Sequence, residues 1–142
     1  MIDALDLLNT RRSIKPIELN GPPPSSAEIE TLLTIASRVP DHGKLTPWRL
    51  IVFEGDARLA AGNKIADAFR IKRPDATPDQ VEHERKRLAR APIVIAVVSR
   101  AGPHIKIPEW EQIMSAGAAA TSLVMAAHAL GYAASWLTEW YA

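Results

Sequence analysis

Two consecutive arginines and a serine, Arg11, Arg12 and Ser13, follow the first apolar segment of the chain, and Lys15 lies two residues beyond them. Arginine presents forked donors that match the oxygens of a phosphate group, and a serine hydroxyl completes such a cage. The group therefore predicts a phosphate site. Taken alone it fits a solvated surface at least as well, because charged side chains are mostly exposed.

A second candidate group occupies the proline-bracketed loop from Arg38 to Trp48, RVPDHGKLTPW. Loops between a helix and a buried strand often carry binding residues. His42 in this loop could donate a proton, form a hydrogen bond or bind a metal. The alternative is a turn that Asp41 caps, with His42 in water.

Aromatic side chains flank both ends of a long apolar segment, with Trp110-Glu111 before it and Trp136 to Trp140 after it. Aromatic rings near helix ends can stack on a planar ligand. They also commonly belong to a core or an interface, so the sequence leaves both interpretations open.

Several classes of protein are disfavoured. The 142 residues contain no cysteine, and the formal charge is +1. No P-loop, dinucleotide-binding or nucleophile-elbow motif is present, and the four histidines show no metal-binding spacing. We therefore expect no metal, no nucleic-acid partner and no membrane span, although residues 112–138 carry no Lys, Arg, Asp or Glu. The N-terminus does not resemble a signal peptide, which favours a cytoplasmic protein.

The periodicity predicts one domain, residues 1–142, in which strands alternate with helices, a pattern typical of layered α/β or α+β folds. The charged residues 82–87 are expected to face water, and the small residues 115–120 to lie in a core or against a second copy of the chain. The predicted helices are 3–10, 25–39, 56–71, 80–90 and 108–129, and the predicted strands are 48–53, 92–99 and 132–138.

These segments together resemble the FMN-dependent nitroreductase family, in particular its short, minimal-domain subgroup. The resemblance rests on P-D-H-G-x-L-x-P-W, W-E-Q-x-x-S-A-G-A, the opening DALDLLNTRRSIK and the run APIVIAVVS, which cover most of the chain in the family's order. It implies an α+β sandwich with a central mixed sheet flanked by helices. It also implies an obligate homodimer with two FMN molecules at the subunit interface.

The resemblance assigns the first group of residues to the flavin. Arg11, Arg12 and Ser13 would hold the phosphate and the ribityl chain. Lys15 matches a position near the pyrimidine edge of the isoalloxazine ring, where a cation would stabilise the charge that develops on reduction.

The remaining assigned residues come from the loop and from the end of the chain. Arg38 and His42 would reach the FMN held mainly by the other subunit. Trp136, Leu137 and Thr138 match a segment that runs beside the flavin. Many relatives have Arg where Leu137 stands, and they continue past the position of Ala142 with a last strand and a tail that embraces the partner.

The implied activity is transfer of hydride from NADH or NADPH, through FMN, to a nitroaromatic, quinone or similar acceptor. An alternative is a flavin-binding protein without turnover. A third hypothesis is a small phosphate-binding module that uses Arg11, Arg12 and Ser13 without a flavin.

Overall fold

A computed structural model describes residues 3–141, which form five α-helices and two strands. The strands β1 and β2 pair in a two-stranded sheet. Short 3₁₀ turns follow α1, α2 and α4, at Pro16–Glu18, His42–Lys44 and Arg87–Arg90. The elements in chain order are α1 (Ala4–Thr10), α2 (Ser26–Ala36), β1 (Trp48–Glu54), α3 (Asp56–Lys72), α4 (Pro78–Arg85), β2 (Ile93–Ser99) and α5 (Glu109–Ala129).

Local sequence signals determine where the helices begin. At the start of α2, the Ser25 hydroxyl accepts from the Glu28 N–H, while the Glu28 carboxylate accepts from the Ser25 N–H. Thr77 and Gln80 form the same reciprocal pair before α4. Such capping boxes satisfy backbone donors that have no partner inside the helix. The predicted start of the second helix is therefore confirmed.

The end of α5 follows from one glycine. Gly131 adopts φ +89°, and its N–H donates to the His128 carbonyl, while the Tyr132 N–H donates to the Ala127 carbonyl. This is the Schellman arrangement, in which a residue of positive φ closes the last turn. Both predicted bounds of this helix are confirmed.

The chain divides into two compact units, of which the first contains residues 1–14, 24–51 and 96–136. In this unit α2 and α5 pack together, and the Tyr132 hydroxyl beyond the end of α5 donates to Glu28 near the start of α2. The two helices are therefore antiparallel. Trp48 is buried against Ala116 and Ala119 of α5, which forms the centre of this unit's core.

The second unit contains residues 15–23, 52–95 and 137–142. Here α3 packs on α4 at Gly62, where an added Cβ would overlap the carbonyl oxygen of Arg85. Glu84 is buried, accepting two hydrogen bonds from Arg87 at 2.7 and 2.8 Å and one from the Trp140 indole N–H at 2.6 Å. Arg87 also donates to Glu139 at 2.6 Å.

The structure corrects both predicted bounds of the 80–90 helix. This helix begins at Pro78 and ends at Arg85, and a 3₁₀ turn covers the rest. The expectation that all of its charged residues face water is wrong for Glu84 and Arg87, because each neutralises the other and thereby tolerates burial.

Two further expectations about strands are wrong. The predicted strand at residues 132–138 is not formed. Apart from the Tyr132 N–H that closes α5, one backbone hydrogen bond within the described chain, from the Ile14 N–H to the Ala134 carbonyl, joins this segment to a neighbour. The second strand is half-buried over residues 93–97 and exposed at Val98 and Ser99, so it is not covered on both faces. In the two-stranded sheet of the described chain it is also an edge strand rather than a central one. In the first helix Leu7 is buried, whereas Leu5 and Leu8 are exposed.

Candidate functional site

The cationic segment Arg11–Ser13 leaves α1 in extended conformation within the first unit. Arg11 is half-buried and caps α1 through its N–H, whereas Arg12 and Ser13 are exposed. Neither arginine forms an ion pair with any residue between 3 and 141. The two guanidinium groups are therefore available to an external anion.

One buried polar atom lies beside this segment. The Nε2 atom of His128, in the last turn of α5, is buried without a hydrogen-bond partner in the described chain. Burial lowers the pKa of His128, and the positive charge of Arg11 lowers it further. A neutral imidazole next to a cation leaves the net charge of this region positive.

The segment is held against the chain that follows α5. The Ile14 N–H donates to the Ala134 carbonyl at 3.2 Å, one residue after Ser13 and two residues before Trp136. Trp136 itself is 56% exposed. Trp136 and the cationic segment Arg11–Ser13 therefore lie within two residues of the same hydrogen bond, between Ile14 and Ala134.

The polar loop at residues 38–47 is held by a carboxylate at its centre. Asp41 accepts from the N–H groups of Leu45 and Thr46, at 3.1 and 2.8 Å. Lys44 and Thr46 take φ values of 54° and 47°, which non-glycine residues seldom adopt. The loop is therefore strained locally and fixed by Asp41, a combination common at functional sites.

Two side chains of α5 attach this loop to the helix. His42 Nδ1 lies 2.9 Å from the Glu111 carboxylate, and Ser115 donates to the Pro40 carbonyl at 2.5 Å. Because a carboxylate only accepts, Nδ1 of His42 is the donor in this bond, and in the neutral form of the ring Nε2 is then an acceptor. Arg38 is exposed and has no ion-pair partner in the described part of the chain.

The two groups occupy opposite ends of α5. The loop attaches at Glu111, whereas the cationic segment lies beside His128, seventeen residues later. At about 1.5 Å per helical residue, the two positions are about 25 Å apart along the axis. A single copy of the chain therefore does not bring them together.

The remaining predicted residues belong to the second unit. Lys15 is exposed and precedes the turn Pro16–Glu18. Leu137 and Thr138 are also exposed, and they stand directly before Glu139, which Arg87 and Arg90 hold.

An apolar stripe runs along the exposed side of α5. Trp110, Ile113 and Met114 are 63%, 52% and 65% exposed, and Gly117 follows one turn later with open space around its Cα. Ser115 and Ala116 face the unit's own core instead. Of these small residues, Ser115 and Ala116 lie on the buried face of α5 and Gly117 lies on its exposed face.

Sequence reasoning missed several residues that build the site. Glu111 was noted for its neighbouring tryptophan, and its bond to His42 was not predicted. Ser115 lies one helical turn after Glu111, so the spacing of four residues was the available signal that both face the loop. Nothing in the sequence pattern indicated that His128 lies beside Arg11.

Comparison with known proteins gives a consistent result. The Nitroreductase family profile matches residues 8–142. A Haemophilus influenzae protein named "Putative NAD(P)H nitroreductase" is 37% identical over 140 residues, covering 96% of this chain and 73% of that protein. The nitroreductase-like protein of Bacillus cereus superposes with a TM-score of 0.73 at 19% identity, over 98% of this chain and 71% of that one.

A nitroreductase of Bacteroides fragilis, solved with bound FMN, superposes with a TM-score of 0.61 at 18% identity, covering 92% of this chain and 67% of that one. The fold is therefore the α+β fold of nitroreductases. The chain belongs to the nitroreductase family, a family of oxidoreductases.

Residues 3–141 contain no α-helix long and apolar enough to cross a bilayer. They also contain no group of three or more histidine and acidic side chains placed to hold a metal ion.

Proposed function

We propose that this protein is a homodimeric FMN-dependent oxidoreductase that passes hydride from NADH or NADPH to a nitroaromatic, quinone or similar acceptor. The proposal rests on Arg11 and Arg12, whose guanidinium groups form no ion pair within residues 3–141. They lie in a chain of the nitroreductase family. Relatives named for NAD(P)H and a structural neighbour with bound FMN supply the cofactor chemistry.

The residues present fit the phosphate end of FMN. Arg11 and Arg12 supply charge-assisted donors, Ser13 supplies a hydroxyl, and no acidic side chain within residues 3–141 already neutralises the arginines. A dianionic phosphate would complete this group of donors.

A second copy of the chain supports assembly of the whole site. If two α5 helices pack antiparallel about a two-fold axis, the first turn of one helix meets the last turn of the other. That arrangement would bring Arg38 and His42 of one subunit toward Arg11–Ser13 of its partner. The exposed stripe of Trp110, Ile113 and Met114 supplies the apolar surface that such an interface needs.

The protein's own residues would bind, orient and stabilise charge. When bound, FMN supplies the hydride chemistry. Lys15 would place a positive charge near the pyrimidine edge, where negative charge develops on reduction. Glu111 fixes the His42 ring so that Nε2 is free to accept a hydrogen bond. Trp136, Leu137 and Thr138 would cover one side of the ring system.

Anaerobic reduction tests the activity. The purified protein, loaded with FMN, is mixed with NADH or with NADPH in the absence of oxygen, and the visible flavin absorbance is followed. We expect rapid bleaching and recovery of the colour when a quinone is added. Bound FMN that neither nucleotide bleaches would instead indicate a flavin-binding protein without turnover.

A preparation that binds simple phosphate esters as well as FMN would indicate a phosphate-binding module. In that case Arg11, Arg12 and Ser13 would keep their predicted role, and the oxidoreductase proposal would fail.

A further inference from the structure

A pocket of about 200 Å³ opens in the first unit, between the end of the polar loop and the segment that follows β2. Arg100 and His104 line it, together with Thr46, Pro47 and Gly102. The pocket is smaller than the roughly 300–1,000 Å³ of sites for drug-sized ligands. Its occupant would therefore be a compact molecule.

The pocket wall is preformed by buried hydrogen bonds. Gln112 of α5, 5% exposed, donates to the carbonyls of Gly102 and Ile107 at 2.8 and 3.1 Å, and accepts from the Gly102 N–H at 3.2 Å. The Arg100 N–H donates to the Pro47 carbonyl at 2.9 Å, which joins the segment after β2 to the end of the polar loop. A ligand would thus bind without having to order the backbone first.

His104 is held with a donor available. Its Nδ1 accepts from the N–H groups of Lys106 and Ile107, at 3.2 and 3.1 Å. Two accepted bonds require a lone pair on Nδ1, so the ring carries its proton on Nε2. The ring therefore acts as a hydrogen-bond donor to a ligand even when it is neutral.

The charge around the pocket favours an anion. None of the eight lining residues, all within the described chain, is Asp or Glu. Arg100 takes part in none of the ion pairs formed by residues 3–141. The carboxylate of Asp41, outside this lining, already accepts from the N–H groups of Leu45 and Thr46. Within the lining, the side chains of Arg100 and His104 are of the types that match the oxygens of a carboxylate or a phosphate.

We propose that Arg100 and His104 form a second binding site, separate from Arg11–Ser13, for the oxyanion group of a small organic acid or phosphate ester. The pocket's apolar lining by Leu45, Pro47 and Pro103 would contact the carbon part of such a ligand. The site does not require the proposed flavin chemistry.

Nuclear magnetic resonance on the FMN-saturated protein tests the proposal, because FMN then occupies the phosphate site of Arg11–Ser13. Inorganic phosphate and benzoate are titrated separately, and the Gly102 amide and the His104 ring resonances are followed. We expect saturable shifts with at least one anion. Preference for phosphate would identify a phosphate-ester site, and preference for benzoate a carboxylate site.

Three variants make the titration specific. Arg100→Gln should weaken binding at least about tenfold, the expected order for loss of one charge-assisted bond. His104→Asn keeps an acceptor for the backbone and removes the Nε2 donor, so it should weaken binding without disturbing the loop. Arg49→Gln changes an exposed arginine on β1 and should bind like the unmodified protein.

The outcomes separate this proposal from the proposed function. No saturable shift with either anion, or equal affinity in Arg100→Gln, would overturn it. Failure of FMN to bind would contradict the proposed function alone, because the titration can then be read residue by residue on the flavin-free protein.

Discussion

At the scale of residues, the arginine pair carries the clearest prediction. Arg12→Ala should weaken FMN binding by about 1.5–3 kcal/mol, or about 10- to 150-fold in Kd, because a charge-assisted bond to phosphate is lost. Flavin fluorescence during titration measures the change. Arg49→Ala removes an equally exposed arginine from β1 and should leave the Kd unchanged. Equal affinity of Arg12→Ala and the control would show that Arg12 is only surface.

The buried carboxylate of Glu84 makes a second prediction. Glu84→Ala leaves the guanidinium of Arg87, 18% exposed, without its bidentate partner. Breaking a largely buried pair should lower the free energy of unfolding by about 2–4 kcal/mol. Glu82→Ala removes an exposed carboxylate two residues earlier and should cost little. Urea denaturation distinguishes them, and equal losses would contradict the burial argument.

The same group predicts a dependence of stability on pH. Hydrogen bonds from Arg87 hold the pKa of Glu84 below its usual value of 4.5. A carboxyl whose pKa is lowered by folding stabilises the protein above its unfolded pKa, and this contribution is lost as the pH falls through the folded pKa. The unmodified protein should therefore lose more stability below pH 4.5 than Glu84→Gln does. If the free energy of unfolding fell equally with pH in both proteins, Glu84 would not be the source of the pH dependence.

Residue types and spacing were enough to predict the candidate groups, because Arg-Arg-Ser and the histidine loop carry their chemistry in the side chains. They were not enough to predict which partners those side chains meet. The bonds of His42 to Glu111 and of Trp140 to Glu84 join residues far apart in the chain, and no local pattern encodes such pairs.

At the scale of elements, the start of α2 and the end of α5 were predictable, because the Ser25–Glu28 capping box and Gly131 are short-range signals. The 132–138 segment was not, because its apolar residues suit a strand only when a neighbouring strand pairs along it. The predicted end of the charged helix at residue 90 was wrong for a related reason. Its last residues turn to pair Arg87 and Arg90 with Glu139, a contact between distant parts of the sequence.

The two helical glycines Gly62 and Gly117 should differ in how much stability an added Cβ costs. Gly62→Ala places a Cβ against the Arg85 carbonyl of α4 and should destabilise the protein by about 1–3 kcal/mol through overpacking. Gly117→Ala meets no atom of its own chain within 4 Å and adds helix propensity of up to about 1 kcal/mol, so it should cost less than Gly62→Ala does. Thermal melts of both variants measure the difference, and a reversed order would contradict the described packing.

At the scale of the whole molecule, the separation of the two candidate groups along α5 is the feature that calls for a second copy. In the proposed dimer, the exposed stripe of Trp110, Ile113 and Met114 would form the interface. Met114→Arg should therefore yield monomers, because it places a charge in an apolar contact. Ile71→Arg, at an 83% exposed position of α3, should leave the dimer intact. Light scattering measures both, and a dimeric Met114→Arg would place the interface elsewhere.

Sedimentation velocity recorded in the visible flavin band reports the mass of the species that carries FMN. We expect the flavin to move with a particle of twice 15.5 kDa, at one FMN per chain, and Met114→Arg to release it. Flavin that sediments with a single chain, or that remains free while the protein dimerises, would contradict this expectation.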